Sequence, residues 1–116
     1  MSGPDFIEAT DGDWVHCASG KSRRVRLHIP ELMQVEARLA AGVSTPEHRH
    51  PHAQVSYVLA GRMRVTVGGR STELSEGGSF IVPPGIVHSG LALTDVLLLD
   101  TFTPARQEFL ADDSVA

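Results

Sequence analysis

From Met33 to Leu39 the chain reads Met-Gln-Val-Glu-Ala-Arg-Leu, apolar at odd positions and polar at even ones. Successive side chains of an extended chain point to opposite faces, so this period of two predicts a strand with one buried face. Val55 to Leu59 and Met63 to Val67 read as two more strands on either side of Ala60-Gly61. Gly68-Gly69 then supplies the positive φ angles of a tight hairpin turn. Further strands are expected at Val25 to Ile29, Gly78 to Val82 and Val96 to Phe102. Short strands broken by Gly or Pro about every 8–12 residues predict an all-β sandwich or barrel rather than a helical fold. Only the stretch after Pro104, Ala-Arg-Gln-Glu-Phe-Leu, reads as a short helical turn, and Ala111 to Ala116 is expected to fray.

A chain of 116 residues has enough surface to bury for one core, so a single domain over residues 1–116 is expected. Its 41% hydrophobic and 21% charged residues are those of a folded globular protein and exclude a disordered chain. The net charge of −4 changes little. Lys21, Arg23, Arg24 and Arg26 form one basic cluster with no aromatic residue interleaved, which reads as a solvated strand edge or loop. No nucleic-acid partner is expected. Cys17 stands alone and cannot form an intramolecular disulfide, consistent with a reducing compartment. The opening Met-Ser-Gly-Pro-Asp-Phe-Ile-Glu carries charges where a secretory signal needs an apolar run. The longest aliphatic stretch, Val96-Leu97-Leu98-Leu99, is far short of the ~20 residues that cross a bilayer as a helix. A cytoplasmic location without a membrane partner is expected.

The chemistry is carried by the histidines. His48, His50 and His52 alternate in Glu47-His-Arg-His-Pro-His-Ala-Gln54. If this segment is one extended strand, His48, His50 and Gln54 share a face and can place two imidazole nitrogens around one ion. Gly42 and Pro46 before it and the apolar strand after it place the segment at the entry to a sheet.

Two spaced motifs resemble those of the cupin superfamily. The first, G-x5-H-x-H-x3-E-x6-G, is matched over residues 42–61 by Gly42, His48, His50 and Gly61, with Gln54 where Glu is usual. The second, G-x5-P-x-G-x2-H-x3-N, is matched over residues 77–92 by Gly77, Pro83, Gly85 and His88, with Ala92 where Asn is usual. The resemblance implies a jelly-roll β-barrel, the double-stranded β-helix, with His48, His50, Gln54 and His88 as ligands of one metal ion. Three neutral imidazoles suit zinc, copper, iron, nickel or cobalt. One divalent transition metal ion (nickel, zinc, iron, manganese or cobalt) is therefore expected. An amide ligand leaves the ion a stronger Lewis acid than a carboxylate would and weighs against oxygen activation. His52 is open to two readings, a rim histidine after Pro51 or a further partner of the metal site.

Asp100 is an acid inside an otherwise apolar strand, sharing parity with Phe102 and followed by Arg106. Facing a cavity, Asp100 would serve as general acid or base, Arg106 as a bidentate partner of a carboxylate, and Phe102 as packing for a ring. The alternative is an Asp100–Arg106 ion pair that closes the barrel end. His-x-His-Pro-His-x-Gln, the later Pro-x-x-x-x-His and the terminal Asp-x-Phe-x-Pro-x-Arg together resemble the KdgF group of small cupins. That resemblance implies conversion of cyclic 4,5-unsaturated uronate monomers to linear keto-uronates. Asp100, Phe102 and Arg106 then match active-site positions, and a small anionic sugar or sugar acid is the expected partner. Two other readings stand beside it: a metal-dependent oxygenase or isomerase of another small molecule, and a non-catalytic sugar-acid-binding cupin. A homodimer is also expected, with Phe6, Ile7 and Trp14 as apolar contact residues unless they pack in the core.

Overall fold

A computed structural model describes residues 3–110. Ten strands run in chain order: β1 Val15–Ala18, β2 Lys21–Ile29, β3 Leu32–Leu39, β4 Ser44–His48, β5 Ala53–Ala60, β6 Arg62–Val67, β7 Arg70–Ser75, β8 Ser79–Val82, β9 His88–Ala92 and β10 Val96–Thr103. They form a six-stranded sheet ordered β1-β2-β3-β10-β5-β8 and a four-stranded sheet ordered β4-β9-β6-β7, with every pairing antiparallel. Each sheet turns its apolar face inward. Leu39, Val58, Met63, Val65, Ala92, Val96 and Leu98 fill one part of the interior. Met33, Val35, Phe102 and Ala105 fill another, with Phe109 and Leu110 packed against it.

The expected alternation of Met33 to Leu39 is realised in β3, where Met33, Val35 and Leu39 are buried. β10 follows the same rule: Val96, Leu98, Asp100 and Phe102 are buried, and their odd-numbered neighbours are less so. Because β10 lies between β3 and β5, its inward face looks onto the middle of the cavity. Parity in this one central strand thus carries Asp100 inside.

Three features differ from the sequence reading. The polar strand β7 has no apolar face to announce it, since it forms the edge of its sheet and pairs only with β6 through the hairpin at Gly68 and Gly69, φ 58° and 82°. The basic cluster is not one solvated edge, because β2 sorts it by parity. The Arg24 Nη2 and Arg26 Nε atoms reach Glu36 Oε1 at 2.6 and 3.1 Å on the outer face, whereas Lys21 and Arg23 line the cavity. Trp14 is neither in the core nor an open apolar patch, since the guanidinium of Arg38 sits 3.6 Å from its ring centroid and that of Arg24 4.8 Å. Phe6 is 89% exposed and so packs in no core. A helical turn follows Pro104 at residues 107–110, and residues 111–116, expected to fray, lie outside the described residues.

Gly61 has the tightest surroundings of the turn glycines. Its φ is +89°, and a Cβ there would lie 2.0 Å from the Asp95 carbonyl oxygen. Gly42 has a similar φ of +85° with nothing near a built Cβ. Gly61→Ala should therefore cost more than about 2 kcal/mol in urea unfolding, while Gly42→Ala, which meets only the backbone penalty, should cost about 1 kcal/mol. Equal losses would contradict the packing at Gly61.

Candidate metal centre

The histidine segment is not one strand. His48 ends β4 of the four-stranded sheet, residues 49–52 bend across the gap, and Gln54 lies in β5 of the six-stranded sheet. His48 and Gln54 therefore approach the cavity from opposite sheets, and His50 reaches it from the bend. The Gly85 amide donates to the His50 carbonyl at 2.8 Å, tying the bend to the turn that precedes β9. His88 begins β9 directly across from His48, their ring centroids 4.1 Å apart.

Each imidazole is held by its Nδ1. His48 Nδ1 lies 2.9 Å from the Pro46 carbonyl, His50 Nδ1 3.0 Å from that of His52, and His88 Nδ1 3.0 Å from that of Ile86. A carbonyl only accepts, so Nδ1 carries the proton in all three rings and Nε2 presents a lone pair. Ligand nitrogens of these three residues lie within 4.8 Å of one another. His88 Nε2 is buried without a hydrogen-bond partner. Burial, followed by the nearby His48, His50 and Arg106, lowers the His88 pKa against the opposing Ile86 contact, favouring the neutral ring that binds metal.

Gln54 Oε1 stands 3.0 Å from His50 Nε2, and its amide nitrogen donates to Ser56 Oγ at 2.9 Å. Ser56 in turn donates to Asp100 Oδ1 at 2.6 Å. The Gln54 oxygen and the His50 Nε2 are both acceptors, so their approach is unfavourable unless a cation lies among them. Three Nε2 atoms and one amide oxygen, mutually repelling, with His50, Gln54 and His88 buried and His48 exposed, fit a divalent transition metal ion. The three histidines can hold such an ion.

The remaining expected residues meet at the same cavity, of about 300 Å³, which is lined by His48, Gln54, His88, Asp100, Phe102 and Arg106. Asp100 and Arg106 do not pair; Arg106 Nη2 binds Glu108 Oε2 at 3.1 Å instead. The Arg106 guanidinium lies 5.1 Å from the Phe102 ring centroid and 4.1 Å from that of Phe109. Burial pushes the Asp100 pKa up to about 6, with the Ser56 hydrogen bond and the charges of Lys21 and Arg106 opposing it. His52 is not on the rim. It is 9% exposed, packs against His50 and Phe102, and acts on the site through its carbonyl, which holds His50.

Ser56 was absent from the sequence reading, Phe109 entered it only as part of the C-terminal turn, and the inward aim of Lys21 and Arg23 was not expected. The parity of β5 could have found Ser56, which follows Gln54 by two and lies opposite Asp100. The contact of Phe109 with Arg106 and Phe102 depends on where the C-terminal turn docks.

A two-sheet barrel with a histidine triad converging between the sheets defines a small β-barrel protein with a candidate metal centre. The comparisons make this specific: the chain belongs to the cupin domain family, whose model matches residues 35–102. It is 30% identical to the pectin degradation protein KdgF of Dickeya dadantii (strain 3937) over 99 residues, 84% of this chain and 90% of that one. An RmlC-like cupin from Shewanella frigidimarina NCIMB 400 superposes with a TM-score of 0.90 at 34% identity, covering 93% of this chain and 97% of the other. KdgF from a Halomonas species gives 0.87 at 31% identity, covering 92% and 99%. Among the described residues no helix is long and apolar enough to cross a membrane.

The Asp100 pKa has a consequence for stability. Between the unfolded value of 3.8 and the folded value of about 6, the folded state binds more protons than the unfolded one, so stability falls as pH rises through this window. The loss approaches about 3 kcal/mol if the full difference is expressed. In chelator-treated protein, Asp100→Asn should flatten the dependence of unfolding free energy on pH across this window. Superimposable pH profiles of wild type and variant would contradict the burial argument.

Proposed function

We propose that this cupin is an enzyme that opens cyclic 4,5-unsaturated uronate monomers to linear keto-uronates, with a divalent metal ion held by His48, His50, Gln54 and His88. The observation that carries the reading is the meeting, in one cavity, of this neutral donor set with a buried carboxyl and a guanidinium. A volume of about 300 Å³ lies at the small end for ligand sites and suits a single sugar ring rather than a polymer. The relative from Dickeya dadantii is a pectin degradation protein, and pectin is built from uronates, which supports the same substrate class.

A bound divalent ion would supply Lewis-acid polarisation of the substrate's oxygens. Arg106, held over Phe102 and Phe109, pairs with the carboxylate, and Phe102 packs against the ring. As the hemiacetal opens, the C1 hydroxyl loses its proton, the bond from C1 to the ring oxygen breaks, and C1 becomes an aldehyde. The enol left at C5 becomes a ketone when C4 takes up a proton and the C5 hydroxyl releases one. Asp100 carries a proton between these positions, and a carboxyl with a pKa of about 6 can both accept and return one near neutral pH. The low-dielectric interior that raises this pKa also keeps bulk water from competing for the proton.

Metal-loaded protein incubated with a 4,5-unsaturated monouronate should remove the ultraviolet absorbance of the conjugated double bond. Chelation should abolish the reaction, and re-addition of the metal should restore it. At saturating metal, Asp100→Asn should slow turnover by about 10²–10⁴-fold. Binding of the uronate without loss of absorbance under every metal tried would overturn the enzymatic reading in favour of a sugar-acid-binding role.

A further inference from the structure

Glutamine at position 54 creates a problem that a carboxylate would not. The two oxygens of a carboxylate are equivalent, so either can face an ion. An amide has one useful end, and the wrong rotamer would turn its NH₂ group, a pair of donors, toward the three Nε2 lone pairs. The orientation of Gln54 must therefore be enforced.

We propose that Ser56 is a positioning residue that locks the Gln54 amide with its oxygen toward the histidines, using Asp100 as the anchor. Ser56 is fully buried at 0% exposure, so its hydroxyl cannot turn to water. It has one proton to give, and the Asp100 carboxylate takes it at 2.6 Å. The lone pairs that remain on Oγ can only accept, and Gln54 supplies the donor with its amide nitrogen at 2.9 Å. That leaves Oε1 as the atom that faces His50 Nε2, at 3.0 Å. The chain has a single polarity from Gln54 through Ser56 to Asp100. β5 and β10 fix the spacing, since Ser56 lies directly opposite Asp100 in the antiparallel register and Gln54 lies on the same face two residues away. One hydroxyl thus joins the amide on the metal side of the cavity to the carboxyl on the proton-transfer side.

This inference rests on the reading of Gln54 as a ligand, and a double-mutant cycle on metal affinity tests the two separately. Zinc affinity is measured by competition with a chromophoric chelator for wild type, Ser56→Ala, Gln54→Ala and the double variant, with thermal melts of the apo proteins as a measure of folding. Gln54→Ala and Ser56→Ala should each weaken zinc binding about tenfold or more. In the Gln54→Ala background, Ser56→Ala should cost nothing further, since no amide remains to be oriented. A merely structural Ser56 would lower the apo melting temperature and would cost the same affinity in both backgrounds, which would overturn the inference. Full affinity in Ser56→Ala would overturn it as well. Full affinity in Gln54→Ala would instead remove the ligand assignment, and the inference with it.

Discussion

Three imidazole lone pairs and an amide oxygen, brought together between the two sheets, repel one another. The fold holds them there. Each ring is pinned by a carbonyl at Nδ1, from Pro46, His52 or Ile86, so none can turn its protonated side inward to relieve the conflict. The Pro46 carbonyl lies in β4 itself, that of Ile86 in the turn before β9, and that of His52 in the bend where the chain leaves one sheet for the other. Acceptors crowded in this way are stable when a cation satisfies them, and three backbone carbonyls hold the rings in the arrangement that would receive one.

The cavity around that point is divided electrostatically. On one side are neutral donors for a dication; on the other are Lys21, Arg23 and Arg106, with the single carboxyl of Asp100 between them. The three cations attract an anion, and burial raises the Asp100 pKa to about 6, so that this carboxyl can gain or lose a proton near neutral pH. Phe102 and Phe109 are the apolar surface against which Arg106 is held, so the guanidinium is ordered before any ligand arrives. The proposed function relies on this ordering, with an anionic ligand that offers oxygens to a metal and a ring face to Phe102.

Much of this was legible in the sequence where one side chain in two is buried. Met33 to Leu39 and Val96 to Phe102 announced central strands because each has one apolar face, and that same parity correctly put Asp100 with Phe102. Motif spacing identified the histidines, but the reason offered for it, a shared strand face, was wrong: the spacing measures a crossing between two sheets. What escaped was whatever depends on distant partners. β7 is a polar edge, Lys21 and Arg23 part company with Arg24 and Arg26 only once β2 is placed between two neighbours, and Ser56 matters only because Asp100 lies across from it.

The most direct test of the account is anomalous diffraction from crystals of the protein loaded with zinc or nickel. One ion is predicted per chain, with His48, His50 and His88 Nε2 and Gln54 Oε1 all at about 2.0–2.2 Å. An ion bound through other atoms, or no ion among these residues at saturating metal, would contradict it.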